Sequence, residues 1–108
     1  MNDGWVAVGP LEQLEDHRAV RVEVEGQPVM LARDGERYFA VASRCTHQGA
    51  SLQRGPLKFG GLDQVTCPVH GSVFGLTDGR VLRGPAMTPL PAYDVRVTDG
   101  RLELRPRP

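Results

Sequence analysis

Along residues 20–25 the chain alternates strictly, with Val20, Val22 and Val24 apolar and Arg21, Glu23 and Glu25 charged. A period of two turns one side of the segment to a core and the other to water, so the pattern predicts a half-buried strand. Runs of similar character recur at residues 29–33, 38–42, 64–67, 80–82, 93–98 and 102–105. The dipeptides Asp34-Gly35, Asp78-Gly79 and Asp99-Gly100 each fall between two of these runs. Asp-Gly supplies the positive φ that a tight hairpin requires. Many short strands closed by near turns predict an all-β fold, an antiparallel sandwich or barrel. Only residues 11–17 have helical character, and Pro10 in front of them predicts a single turn. Trp5 and the alternating valines are expected in the core, and residues 105–108 are expected to fray.

Size and charge narrow the picture. A chain of 108 residues is expected to form a single domain over residues 1–108, with a modest core. It contains no apolar run of the roughly eighteen residues a membrane helix needs. Its start, Met1-Asn2-Asp3-Gly4-Trp5, lacks the basic and then apolar stretches of a leader. A soluble, cytoplasmic protein without membrane contact is therefore expected. The thirteen basic and thirteen acidic residues cancel, but unevenly: residues 1–40 hold four basic against eight acidic, and residues 41–108 hold nine against five. Arg44, Arg54, Lys58, Arg80 and Arg83 are expected to steer an acidic partner surface. Without net positive charge or interleaved aromatic and basic residues, nucleic acid is not an expected partner.

The chemistry lies in two short motifs. Cys45-Thr46-His47 and Cys67-Pro68-Val69-His70 contain both cysteines and two of the three histidines. Paired soft and borderline ligands in tight loops point to a metal site. In structural zinc sites each short motif usually pairs like with like, whereas here each motif supplies one Cys and one His. That mixture suits a two-iron cluster with both thiolates on one iron and both imidazoles on the other. Zinc on the same four ligands, stabilising an interaction module, is the alternative. A Cys45–Cys67 disulfide would leave both histidines unexplained, and a cysteine nucleophile would need only one Cys and an orienting carboxylate. Gly49 and Gly71 are expected to let backbone N–H groups approach cluster sulfurs. His17, among Glu15, Asp16 and Arg18, is expected to be a solvated surface residue.

Taken together, Cys45-Thr46-His47-Gln48-Gly49-Ala50, Cys67-Pro68-Val69-His70-Gly71-Ser72 and Gly84-Pro85-Ala86 resemble the two cluster loops and the proline-bearing third loop of the Rieske [2Fe–2S] family. Thr88-Pro89-Leu90-Pro91-Ala92-Tyr93-Asp94-Val95, with Val97 and Asp99-Gly100, is similar to the closing strands of its soluble ferredoxins. The resemblance implies a Rieske-type antiparallel sandwich or barrel bearing a cluster-binding subdomain of those three loops. It implies one [2Fe–2S] cluster per chain, held by Cys45, Cys67, His47 and His70, with Gly49, Gly71, Ser72, Phe74 and Pro85 around it. The two thiolates would hold the buried iron, and the two imidazoles the outer iron at the electron exit. Nineteen residues separate His47 from Cys67, slightly long for a ferredoxin-type member, and the surplus is expected as a loop extension at residues 58–62.

In high-potential members a serine and a tyrosine two residues apart donate hydrogen bonds to the cluster. Here Ser72 is kept and Phe74 has no hydroxyl. Ala50 and Val69 stand where membrane-complex members carry a disulfide staple, which leaves the cluster more open to solvent. Both differences imply a potential in the lower half of the Rieske range of about −150 to +300 mV. The implied function is not catalysis but one-electron carriage, by a monomer, from a flavin-dependent reductase to the terminal oxygenase of a multicomponent, ring-hydroxylating dioxygenase-type system. The alternative is the small subunit of an assimilatory NAD(P)H nitrite reductase, partnered by the large subunit. The segment Val73-Phe74-Gly75-Leu76-Thr77-Asp78-Gly79 fits both, and the retention of all four ligands favours the carrier.

Overall fold

The computed structural model describes residues 4–47 and 49–107. Met1, Asn2, Asp3, Gln48 and Pro108 lie outside it, and with them the start of the chain, one position of the first Cys/His loop and the last residue of the expected tail. Ten strands run in chain order: β1 (Val6–Pro10), β2 (Ala19–Val24), β3 (Gln27–Asp34), β4 (Arg37–Ala42), β5 (Leu57–Lys58), β6 (Gln64–Thr66), β7 (Val73–Gly75), β8 (Val81–Arg83), β9 (Ala92–Thr98) and β10 (Arg101–Pro106). They form two antiparallel sheets, a six-stranded one in the order β1-β10-β9-β4-β3-β2 and a four-stranded one in the order β5-β6-β7-β8. The edge strands β1 and β2 approach each other, so the large sheet curls into a nearly closed barrel. Among the described residues the only helical elements are two 3₁₀ turns, Leu11–Gln13 and Leu52–Arg54. The all-β antiparallel architecture read from the sequence is the one observed.

Strand β3 explains how the two sheets become one molecule. Val29, Met30, Leu31 and Ala32 are all buried, an unbroken run rather than an alternation. Such a run needs cover on both faces. Val29 and Leu31 pack inside the barrel with Leu14, Ala40, Tyr93, Leu102 and Leu104. Met30 and Ala32 pack the other way, with Phe39, Val41, Val65, Phe74 and Leu76. This second layer also contains Cys45 and Cys67. The cysteines are thus anchored in the apolar seam between barrel and small sheet.

Two local expectations require correction, at Trp5 and at the C-terminus, and two further features lie at β1 and at the loop after β5. Residues 6–10 form a strand although Gly9 and Pro10 are poor strand formers; β1 tolerates them as an edge strand with a register shift between Ala7 and Gly9. Trp5 is only half-buried and lies under the guanidinium groups of Arg96 and Arg105, at 4.1 and 4.4 Å, a cation–π arrangement at the surface rather than a place in the core. The C-terminus does not fray through residue 107: Pro106 pairs with Tyr93, and Arg107 donates to the Asp94 carboxylate at 2.9 Å and to the Thr77 carbonyl at 2.7 Å. The expected loop at residues 58–62 closes a hairpin between β5 and β6, and Arg37 grips its far side through two hydrogen bonds to Asp63, at 2.8 and 2.9 Å.

Candidate metal centre

Each Cys/His motif sits in a loop of the same construction. In the first, the Cys45 N–H donates to the Ala50 carbonyl at 2.8 Å, and the Gly49 N–H donates back to the Cys45 carbonyl at 2.7 Å. In the second, the Cys67 N–H donates to the Ser72 carbonyl at 2.7 Å, and the Gly71 N–H donates to the Cys67 carbonyl at 3.1 Å. The first loop is pinned behind by the bridge between Arg44 and Ser51, the second by the pairing of Thr66 with Val73. Both therefore present cysteine, histidine and glycine in one shared backbone frame.

That frame gives the two glycines a role within the loops themselves. Gly49 and Gly71 stand four residues after their cysteines with φ of +75° and +78°, and a Cβ at either would meet nothing within 4 Å. Their N–H groups bond the cysteine carbonyls. The left-handed backbone that closes each loop calls for glycine.

The loops sort the four side chains by depth. Cys45 and Cys67 are 4% and 3% exposed, free rather than disulfide-bonded, within the apolar seam. His47 and His70 are exposed, their ring centroids 5.2 Å apart and their planes at 83°. Thiolates in so apolar a place need a cation to offset their lost hydration, and imidazoles at the rim can bind a second metal while facing water. Among the described residues, the one group of three or more His, Cys, Asp or Glu side chains with ligand atoms all within 4.8 Å of one another is Asp16, His17 and Asp34.

A third loop closes the site. After β8 the chain passes through a cis Gly84–Pro85 bond, with Pro85 exposed. The Ala86 N–H then donates to Ser72 Oγ at 2.9 Å, and the Thr46 hydroxyl donates to the Thr88 carbonyl at 2.5 Å. Loop three is therefore tied to both cluster loops. Ser72 is fully buried and accepts this bond, which leaves its own hydrogen free to donate elsewhere. Phe74 is fully buried on β7 beside Val65 of β6, its ring in the seam that holds the cysteines. The Thr46–Thr88 tie carries no sequence signal, because threonines are common in loops and the partner is a backbone carbonyl.

Of the basic residues expected around the site, Arg80 is engaged with Asp78 at 3.5 Å. Arg83 reaches toward the Gly71 carbonyl of the second loop at 3.4 Å. His17 is exposed, as expected, yet not simply solvated: its Nε2 lies 2.8 Å from Asp34, and its ring stacks on Phe59 with centroids 5.4 Å apart. No helix among the described residues is long and apolar enough to cross a membrane.

The profile of the Rieske [2Fe-2S] domain matches residues 4–94, the barrel's first strands and all three loops. The chain belongs to the Rieske [2Fe–2S] family. Its cofactor is accordingly a [2Fe–2S] cluster, and the buried thiols and exposed imidazoles fit one. The chain is 39% identical over 92 residues to the 3-phenylpropionate/cinnamic acid dioxygenase ferredoxin subunit of Photorhabdus laumondii, covering 85% of each chain. Its structure matches the ferredoxin of carbazole 1,9a-dioxygenase from Nocardioides aromaticivorans with a TM-score of 0.89 at 30% identity, over 97% of this chain and all of the other. It also matches a chain in a complex of reduced oxygenase and oxidised ferredoxin of carbazole 1,9a-dioxygenase, with a TM-score of 0.83 at 30% identity over 96% and 94% of the two chains. The NADH-dependent nitrite reductase small subunit of Mycobacterium tuberculosis is similar to the same degree, with a TM-score of 0.83 at 30% identity over 96% and 95%.

Proposed function

We propose that this chain is a single-domain, monomeric, cytoplasmic Rieske ferredoxin that carries one electron at a time from a flavin-dependent reductase to a terminal oxygenase of the ring-hydroxylating dioxygenase type. Cys45 and Cys67 anchor the inner iron, and His47 and His70 hold the outer one. When bound, the cluster takes up and releases a single electron. The residues around it hold the loops, exclude water from the thiolates and expose the imidazoles. The observation that carries this reading is the sorting by depth, with both cysteines sealed in the seam and both histidines at the surface. An electron can leave through the histidines without any part of the fold opening.

The relatives support the same role, since they are ferredoxin subunits of dioxygenases and one is seen with its oxygenase. The likeness to the nitrite reductase small subunit supports a second reading, in which the chain is a fixed part of a larger enzyme. Affinity isolation from native cells, with light scattering and an electron titration, separates the two. A monomer that takes one electron per chain from NAD(P)H through a flavoprotein and passes it to an oxygenase is the expected result. Stable recovery with a nitrite-reducing large subunit would overturn the carrier reading.

A further inference from the structure

We propose that the cluster end of the molecule is a basic-rimmed, apolar plug for an oxygenase face that carries an apolar socket ringed by carboxylates. This rests on the carrier reading and adds the chemistry of the partner's surface. The formal charge of zero hides a polarity. Residues 43–91 carry five cations, Arg44, Arg54, Lys58, Arg80 and Arg83, against the two carboxylates Asp63 and Asp78. The barrel carries the opposite excess of three.

The fold sharpens that imbalance, because both carboxylates of the cluster end are occupied. Asp63 is held by Arg37, a cation from the barrel, and Asp78 by Arg80. Among the described residues no carboxylate pairs with Arg44, Lys58 or Arg83. Arg44 flanks Cys45 directly, Arg83 reaches the second loop, and Lys58 shares with Arg83 a cleft of about 340 Å³ on the small sheet. Leu62, 59% exposed, lines the same cleft.

The apolar centre is Met87. Its residue is 93% exposed, although its backbone is clamped on both sides by the ties of Ala86 to Ser72 and of Thr88 to Thr46. Val69, 57% exposed, precedes His70 in the second loop. An apolar side chain held in water on a fixed backbone is pre-organised to enter a pocket, and the excess of cations on this half of the chain selects an acidic rim. A second copy does not offer that complement at its own cluster end, since two such ends repel.

The test uses the holo-protein on gold electrodes covered with mixed carboxylate/methyl, pure methyl or mixed amine/methyl monolayers. A quartz-crystal microbalance records adsorbed mass while voltammetry records the rate of electron transfer. At low salt, adsorption and rate are expected to be about tenfold higher on carboxylate/methyl than on amine/methyl, with the advantage fading as salt screens the charges. Lys58→Glu with Arg83→Glu should remove most of it. Met87→Ser should lower both readings on carboxylate/methyl several-fold with an unchanged midpoint potential. Equal or stronger docking on the amine surface, or no response to either variant, overturns the proposal. So does a dimer in light scattering that Lys58→Glu with Arg83→Glu dissolves, which assigns the face to a second copy. Protein that adsorbs as expected but shows no redox wave on any surface would keep this docking face and sink the carrier reading instead.

Discussion

Gly55 and Gly79 show what single atoms decide in this molecule. A Cβ at Gly55 would lie 1.9 Å from the Thr66 carbonyl oxygen, and one at Gly79 would lie 2.1 Å from that of Leu90, with the added strain of φ +77°. Backbone cannot retreat as a flexible side chain can, so Gly55→Ala and Gly79→Ala are each expected to cost at least about 2 kcal/mol in urea unfolding. Gly61→Ala, with open space around its Cβ, serves as the control. At the metal centre, Cys45→Ser or Cys67→Ser should abolish iron binding, and His47→Ala or His70→Ala should abolish it or leave a labile remnant, read as iron and sulfide per chain. Full cluster content in both histidine variants would refute the assignment of the imidazoles. The Ser72 hydroxyl, free to donate while it accepts from Ala86, is expected to raise the potential; Ser72→Ala should lower it and Phe74→Tyr should raise it in film voltammetry. These side chains could be read from the sequence because chemistry restricts Cys and His so strongly. Gly55 could not, since it is required by the Thr66 carbonyl on β6; Gly79 was marked as a turn residue by Asp78-Gly79, and only its crowding against Leu90 was hidden.

Among the elements, the hairpins were legible where turn chemistry agrees with the backbone. At Asp99-Gly100 both residues take positive φ, +52° and +76°, the pair a tight two-residue hairpin demands. Glu25-Gly26 adopts the same pair, +51° and +81°, between β2 and β3, yet glutamate gives no turn signal, so this corner is hidden in the sequence. Strand β1 is hidden for a related reason: its pairing with β10 overrides Gly9 and Pro10. The corner between β3 and β4 carries a further consequence. Hydrogen bonds from Arg37 and then from His17 hold the Asp34 carboxyl below its ordinary value of 3.8. A carboxylate with a lowered folded pKa stabilises the fold above its unfolded pKa and loses that contribution as pH falls through the folded one. The urea midpoint is therefore expected to drop below about pH 4, and Arg37→Ala should reduce that dependence by removing the larger cause. An unchanged acid profile in Arg37→Ala would show that the ion pair is idle.

For the whole molecule, β3 and β4 of the barrel are covered on one face by the barrel interior and on the other by the cluster sheet, which is why two runs of unbroken apolar residues occur in a chain otherwise patterned for one wet face. Phe74 fills the seam between them, and Phe74→Ala is expected to cost about 3–5 kcal/mol and to loosen both cysteines. The all-β class and the longer strands were accessible from the sequence, because alternation is a local property, whereas β1 and the short strands β5 and β7 were not. The ties of loop three to loops one and two, and the grip of Arg37 on Asp63, join residues twenty-six or more positions apart in two cases out of three, and no local pattern encodes them. The central claim is that two imidazoles and two thiolates of this chain hold a two-iron cluster. Pulsed electron paramagnetic resonance of the reduced protein tests it most directly. Hyperfine coupling to two histidine nitrogens, in protein containing two irons and two sulfides per chain, is the expected result; a reduced iron–sulfur signal without nitrogen coupling, or one zinc and no signal, would contradict it.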